Sequence, residues 1–171
     1  MKKLIIILGL VILGHGLQAQ VPAPGEKQTD PILLMNGTAH LGNGEVIENA
    51  AIGFENGIIT VVASNNVSQE KYRVVDIKGK HVYPGFILPA TDLGLNEVSA
   101  VRATQDKAEA GSLKPNVRSI IAYNTDSEII PTLRFNGILT AQIAPKGGLI
   151  SGTSSIVHLD AWNWEDALIT E

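Results

Sequence analysis

The chain has 171 residues, 13 basic and 17 acidic side chains, a formal net charge of −4 at pH 7 and no cysteine. A net negative charge argues against a nucleic-acid-binding protein, because phosphate contacts need a basic face, and against binding to anionic membrane surfaces. The absence of cysteine excludes disulfide bonds and thiolate metal sites. The length is sufficient for one domain with its own hydrophobic core.

The first twenty residues have the pattern of an export signal. Two lysines precede an apolar run over residues 4–13, and Ala19 supplies a small residue before a cleavage point. We predict a signal peptide over residues 1–19 and a periplasmic or extracellular protein, with an uncleaved amino-terminal anchor as the alternative. The apolar run is too short for an integral membrane span, which needs about 20 residues. Residues 20–30 are polar and rich in proline and glycine, which predicts a flexible lead.

Residues 31–83 contain short apolar runs separated by turn residues, which indicates a β module. The strongest turn signal is Asn56-Gly57, because a type I′ hairpin turn needs positive φ at both central residues. Gly42-Asn43-Gly44 and Lys78-Gly79 are further turn candidates. We predict a small antiparallel module built as a β-sandwich.

The pattern changes after Gly85, where strands and helices are expected to alternate. The predicted elements are a strand at 86–88, a long loop at 89–117 with a short helix near 97–101, a helix from Asp126 or Ser127 to about Asn136, a strand at 138–143, an extended segment at 155–159 and a helix that begins near Trp162. Strand, helix and strand across residues 86–143 form a βαβ unit with parallel strands. Parallel sheets are nearly always buried on both faces, so we expect either that the sequence is part of a longer protein or that a partner chain completes the sheet.

With these residues in view, the chain resembles the amidohydrolase superfamily, in particular its exported imidazolonepropionase-like members. The resemblance rests on the β module, on the junction Val82-Tyr83-Pro84-Gly85-Phe86-Ile87 and on the segment from Arg118 to Trp164. Within that segment the most similar motifs are Asn124-Thr125-Asp126-Ser127-Glu128, Asn136-Gly137-Ile138 and Gly147-Gly148-Leu149-Ile150-Ser151-Gly152. It implies a β-sandwich over 31–83 and the start of a TIM-type (β/α)8 barrel over 84–171. It also implies hydrolysis of C–N bonds in non-peptide amides or cyclic amides by water that a divalent metal such as zinc activates.

The metal ligands of the first barrel strand are missing from this sequence. In the family this strand ends in Asp-x-His-x-His, and alignment from Pro84 places those positions at Leu88, Ala90 and Asp92. Only Asp92 keeps an oxygen ligand suited to a hard cation. The other metal ligands of the family lie on later strands of the barrel. Among the residues aligned with the first strand's ligands, the resemblance therefore leaves Asp92 as the metal-ligand candidate.

The histidines and other charged residues are weaker candidates. His40, His81 and His158 have no partner at i+2 or i+4, which excludes a local zinc motif and favours surface positions. Five charged residues after the first strand could form a replacement polar site, although a solvated loop is the commoner explanation: Asp92, Glu97, Arg102, Asp106 and Glu109.

Lys146-Gly147-Gly148 follows the second parallel strand, on the face where (β/α)8 barrels build their active sites. The Lys146 ammonium and the N–H groups of Gly147 and Gly148 are candidates for binding an anionic group of a small-molecule substrate. A tight glycine-rich connection between two elements is the alternative.

Two functions remain open at this point. The first is the amino-terminal part of an exported amidohydrolase-like hydrolase, in which this chain alone would be inactive. The second is a non-catalytic subunit or binding module that keeps the amidohydrolase fold, has lost its metal site, and acts as a homo-oligomer or beside a paralogous subunit.

Overall fold

The computed structural model describes residues 24–171. The predicted signal peptide and the first part of the predicted lead therefore lie outside the described residues. Residues 24–30 have no regular secondary structure. The side-chain amide of Gln28 holds them against the first sheet, since it donates to the Phe54 carbonyl oxygen at 2.9 Å. No helix within residues 24–171 is long and apolar enough to cross a membrane.

Two sheets and a few short helices make up the described residues. The strands are β1 (Ile32–His40), β2 (Val46–Glu55), β3 (Ile58–Ser64), β4 (Arg73–Asp76), β5 (His81–Val82), β6 (Phe86–Thr91), β7 (Ile138–Ile143), β8 (Ser155–His158) and β9 (Leu168–Thr170). The α-helices are α1 (Ile130–Phe135) and α2 (Trp164–Ala167), and 3-10 turns lie at Arg102–Thr104 and Ser119–Ala122. The first sheet has the order β3-β2-β1-β4, with β5 also paired to β1, and the second has the order β6-β7-β8-β9.

The first sheet is built around β1, whose side chains alternate between buried and half-buried positions as expected for a central strand. The predicted turn at Asn56-Gly57 is confirmed: both residues have positive φ, 52° and 76°, and they join β2 to β3 in an antiparallel hairpin. The described residues of this region form one sheet, so the second layer of a sandwich stays a prediction.

The prediction of a wholly antiparallel module is wrong, because β4 and β5 run parallel to β1. Residues 65–72 carry the chain back to the end at which β1 begins, where the Arg73 N–H donates to the Pro31 carbonyl oxygen at 2.8 Å. From there β4 and β5 follow β1 in the same direction. The turn at Lys78-Gly79 therefore connects β4 to β5, which run in the same direction along β1, and it does not reverse the chain.

The predicted βαβ unit is confirmed, because α1 lies between β6 and β7 and these strands pair in parallel. The helix begins at Ile130 and not at the predicted caps, since Pro131 lacks an N–H and is tolerated only in the first turn. The Ser127 hydroxyl instead donates to Glu97 Oε2 at 2.8 Å. The predicted stop is correct: Gly137, with φ 83°, follows the end of α1.

The remaining elements agree only in part with the predictions. The long loop after β6 is confirmed, but residues 97–101 form no helix, and a 3-10 turn lies just beyond them. The segment predicted as extended is β8, which pairs antiparallel with β7, as β9 does with β8. The helix predicted near Trp162 is the single turn α2, capped by Asn163 Oδ1, which accepts the Asp166 N–H at 2.8 Å.

The larger of the hydrophobic cores lies on one face of the second sheet. It joins the sheet to the long loop, to the second 3-10 turn and to α1, and its buried members are Leu93, Leu95, Ile120, Tyr123, Ile130, Ala141, Ile143, Val157, Leu159 and Ala167. The start of β6 is different, since Phe86 is 66% and Ile87 67% exposed. The sheet therefore fixes the loop that follows β6 while the first residues of that strand stay uncovered.

Candidate site at the carboxyl ends of β6 and β7

The carboxyl ends of β6 and β7 bring two predicted site residues together. The strands are parallel, so the segments that follow them emerge at the same edge of the sheet. Lys146 Nζ lies 2.9 Å from Asp92 Oδ2. Lys107 Nζ lies 4.0 Å from the same oxygen. One carboxylate thus faces two ammonium groups, and no pattern in the sequence had distinguished Lys107 as a candidate.

The two lysines determine the charge state of Asp92. A hydrogen bond from Lys146 holds the pKa of the Asp92 carboxyl below its usual range, and the charges of Lys146 and Lys107 act in the same direction, while partial burial opposes them. The side chains are partly exposed, 31% for Asp92 and 54% for Lys146. Because exposed ion pairs contribute only about 0–1 kcal/mol to stability, this cluster fixes the position of charges more than it stabilises the fold.

The backbone just before Asp92 is irregular. Ala90 has φ 46°, in the left-handed region, which costs an L-residue roughly 1–2 kcal/mol. The pairing of β6 with β7 shifts twice, between Phe86 and Ile87 and between Leu88 and Thr91, and the second shift has the spacing of a β-bulge. Bulges change the direction in which the following side chains point. Asp92 therefore leaves the strand in a direction that a regular strand would not give it.

The segment Lys146-Gly147-Gly148 packs against the long loop. The Lys146 N–H donates to the Lys107 carbonyl oxygen at 2.6 Å, and the Leu149 N–H donates to the Ser112 carbonyl oxygen at 2.7 Å. Gly148 has φ 76°, and a Cβ at this position would lie 2.8 Å from the Ser112 carbonyl oxygen. This close approach supports the alternative of a tight glycine-rich connection, and binding of an anion by these N–H groups stays a prediction.

A buried lysine links the same two loops. Lys114 is 4% exposed, and its ammonium donates to the carbonyl oxygens of Glu109 at 2.9 Å and of Lys146 at 3.4 Å. It lines a cavity of about 570 Å³ together with Asp106 and Arg118. No pattern in the sequence distinguished Lys114 from a solvated lysine, because its burial depends on how the loop folds back over residues 144–153.

The other charged residues after β6 do not form a single polar site with Asp92. Glu97 accepts hydrogen bonds from the Ser127 hydroxyl at 2.8 Å and from the Asn124 amide at 3.3 Å. Burial of the Tyr123 side chain and the negative charge of Glu97 together raise the pKa of Tyr123 to about 12. The Tyr123 hydroxyl and Asn96 Oδ1 are buried without a hydrogen-bond partner among the described residues.

Two histidines that are 41 residues apart meet on the first sheet. His40 Nε2 lies 2.9 Å from His81 Nδ1, and the Tyr83 ring stacks on His40 with a centroid distance of 4.2 Å. The parallel pairing of β1 with β5 makes this contact, which spacing along the sequence did not indicate. The predicted surface position is confirmed for His81 and His158, which are exposed.

The divalent metal that the resemblance implies does not fit the residues at the end of β6. Leu88 and Ala90 offer no ligand atoms, and Asp92 is already neutralised by Lys146 at 2.9 Å. Within residues 24–171, no group of three or more histidine, aspartate or glutamate side chains lies close enough to hold a metal ion. The two ammonium groups would also repel a cation approaching Asp92.

Comparison with known proteins supports the fold. No protein-family profile matches the sequence, and no curated protein is significantly similar to it. Among solved structures, an amidohydrolase from Thermotoga maritima MSB8 superposes with a TM-score of 0.75 at 21% identity, over 82% of this chain and 37% of that one. A prolidase complexed with N-methylphosphonate-L-proline superposes with a TM-score of 0.46 at 24% identity, over 65% of this chain and 25% of that one.

Over most of its length the chain is therefore similar in fold to part of the Thermotoga amidohydrolase. The chain spans about 37% of the length of the Thermotoga protein, and the shared region includes most of this chain.

Proposed function

We propose that the chain is the amino-terminal part of an exported, imidazolonepropionase-like hydrolase that acts on C–N bonds of non-peptide amides or cyclic amides. The observation that carries this proposal is the position of the charged cluster. Asp92, Lys107 and Lys146 gather at the carboxyl ends of parallel strands, and (β/α)8 enzymes build their active sites at that end. The fold similarity to an amidohydrolase over 82% of the chain supports the same assignment.

In this proposal the chain supplies one wall of the active site. Lys146 and Lys107 keep Asp92 ionised and hold it in place, while the loops over 92–118 and 144–153 cover the strand ends. The residues that perform the chemistry lie on strands that this chain does not include. Residues 24–171 alone are therefore expected to be inactive.

A second function is favoured by the same cluster. Because Asp92 is neutralised by lysines and the two preceding aligned positions carry no ligand, a non-catalytic subunit or binding module with the amidohydrolase fold also accounts for this strand end. Such a subunit would bind a paralogous chain or a second copy through the uncovered start of β6, where Phe86 and Ile87 are exposed.

Three measurements on the protein isolated from its natural host test the two functions. Intact mass comes first, because a (β/α)8 barrel alone needs about 250 residues whereas this chain accounts for 18.2 kDa. Metal content and hydrolysis of a panel of amides and cyclic amides of the imidazolone type follow. A large protein that contains metal and hydrolyses the panel supports the hydrolase. A large protein without metal or hydrolysis, isolated with a partner chain, supports the binding module. A mass near that of this chain contradicts the barrel hydrolase.

A further inference from the structure

We propose that Lys146 is a built-in cation that neutralises Asp92, the one aligned position at the end of β6 that carries a ligand atom in its side chain. β6 then contributes no ligand to any metal that the complete protein binds. This inference rests on the proposed function, because it concerns the same end of the barrel. It makes a separate claim, however, about which positive charge neutralises Asp92.

The distances favour an ammonium group over a metal ion at this carboxylate. Metals bind carboxylate oxygens at about 2.0–2.6 Å, and Lys146 Nζ already donates to Asp92 Oδ2 at 2.9 Å. A metal on this oxygen would have to displace the ammonium group. Lys107 Nζ at 4.0 Å adds a second positive charge, and within residues 24–171 neither lysine forms an ion pair with another carboxylate. The three groups together carry a charge of +1, which opposes a divalent cation.

Main-chain contacts hold both lysines in place. The Lys146 N–H donates to the Lys107 carbonyl oxygen at 2.6 Å, so the two residues are fixed to each other directly. The buried Lys114 ammonium donates to the Lys146 carbonyl oxygen at 3.4 Å, which is a second contact between the long loop and Lys146. Because the loops are joined at these points, both ammonium groups reach Asp92 from one connected unit.

Zero-length cross-linking with a carbodiimide tests this arrangement on the full-length protein. The reagent activates a carboxyl group, which an amine in direct contact attacks to form an isopeptide bond, and the activating group leaves as a urea. Mass spectrometry of proteolytic peptides then measures the Asp92–Lys146 product. The exposed pair Glu55–Lys71, at 3.4 Å, is the internal control. A Lys146→Arg variant keeps the charge and should lose only the Asp92–Lys146 product.

We expect the Asp92–Lys146 product to form, with a yield relative to the control pair that changes less than twofold between EDTA and added Zn²⁺ or Mn²⁺. A fall of fivefold or more with added metal, reversed by EDTA, would overturn the inference. So would the absence of this product while the Glu55–Lys71 product forms.

Metal content of the same sample separates this inference from the proposed function. If metal is present and the cross-link is unaffected, both hold, and an Asp92→Asn variant should keep its metal. If metal is absent and the cross-link forms, the inference holds while the metal-dependent hydrolase fails. If metal suppresses the cross-link, the inference fails and the hydrolase remains supported.

Discussion

Tyr123 provides a direct test of how the core behind the second sheet is built. Its residue surface is only 6% exposed, and its hydroxyl has no hydrogen-bond partner among the described residues. An unpaired buried polar group costs about 1–3 kcal/mol. Replacing Tyr123 with phenylalanine should therefore leave the free energy of unfolding at pH 7 unchanged or raise it by up to that amount, whereas most substitutions in a core lower it.

The same residue predicts a loss of stability at high pH. The pKa of Tyr123 is raised to about 12 in the folded protein by burial and by the charge of Glu97, and it is about 10 in an unfolded chain. Between these values the unfolded state releases the proton while the folded state keeps it. The stabilisation is thus fully present below pH 10 and is lost as the pH rises through about 12. Two pKa units correspond to about 2.7 kcal/mol, of which about 2 kcal/mol should be lost by about pH 11.5.

Urea denaturation of the full-length protein, followed by tryptophan fluorescence between pH 8 and about 11.5, measures both effects. The difference between wild type and Tyr123→Phe isolates this phenol from the other groups that titrate there. Tyr72→Phe is the matched control: its hydroxyl lies 3.2 Å from Thr60 Oγ1, so its loss should destabilise by about 0.5–1.5 kcal/mol at pH 7. The reasoning is refuted if Tyr123→Phe destabilises by more than about 1 kcal/mol at pH 7, or if the difference from wild type does not grow with pH.

Three further outcomes are expected. Gly94→Ala should destabilise the fold by about 3 kcal/mol or more, because Gly94 has φ +69° and a Cβ there would lie 2.6 Å from the Tyr123 ring. Gly57→Ala should cost only about 1 kcal/mol, because Gly57 has φ +76° but a Cβ there would meet open space. Equal losses of stability in thermal unfolding of the two variants would contradict this reasoning. Ala90→Gly should raise the urea midpoint by relieving φ 46°, a gain of about 1 kcal/mol, and a lower midpoint would argue against a left-handed backbone at this residue. Residues 24–171 produced alone should self-associate and bind a hydrophobic dye through the exposed start of β6, and a dye-free monomer in gel filtration would contradict that expectation.

Local turn chemistry allowed a correct prediction at Asn56-Gly57, whereas the expected helix caps at Asp126 or Ser127 were wrong because the helix begins at Ile130. Asn56-Gly57 forms the expected hairpin because positive φ is needed at both positions. The βαβ unit follows from the order of apolar runs. The direction of β4 and β5 could not be predicted, since it depends on where residues 65–72 carry the chain. The contact between His40 and His81 depends on that pairing and was missed for the same reason.

The candidate site was predictable in position but not in composition. Asp92 and Lys146 each follow a parallel strand, and strand topology alone places them at one edge of the sheet. Their direct contact, and the parts played by Lys107 and Lys114, depend on the fold of a long loop without hydrophobic periodicity. In such a segment the sequence does not distinguish a buried lysine from a solvated one.

The irregular pairing of β6 with β7 bears on how the strand end presents Asp92. In a regular strand, residues 88, 90 and 92 would point to the same side, which is what a ligand pattern with period two requires. Here Leu88 pairs with Ala141 and Thr91 pairs with Ile143, so three steps along β6 match two along β7. An earlier shift runs the opposite way, since the single step from Phe86 to Ile87 matches two steps along β7, so the net register from Phe86 to Thr91 is restored. The positions 88, 90 and 92 are therefore not related by the simple alternation of a regular strand. The backbone and the side chains thus agree, because neither the irregular strand end at Ala90 nor the contact of Asp92 with Lys146 provides the evenly spaced ligand set that the resemblance implies.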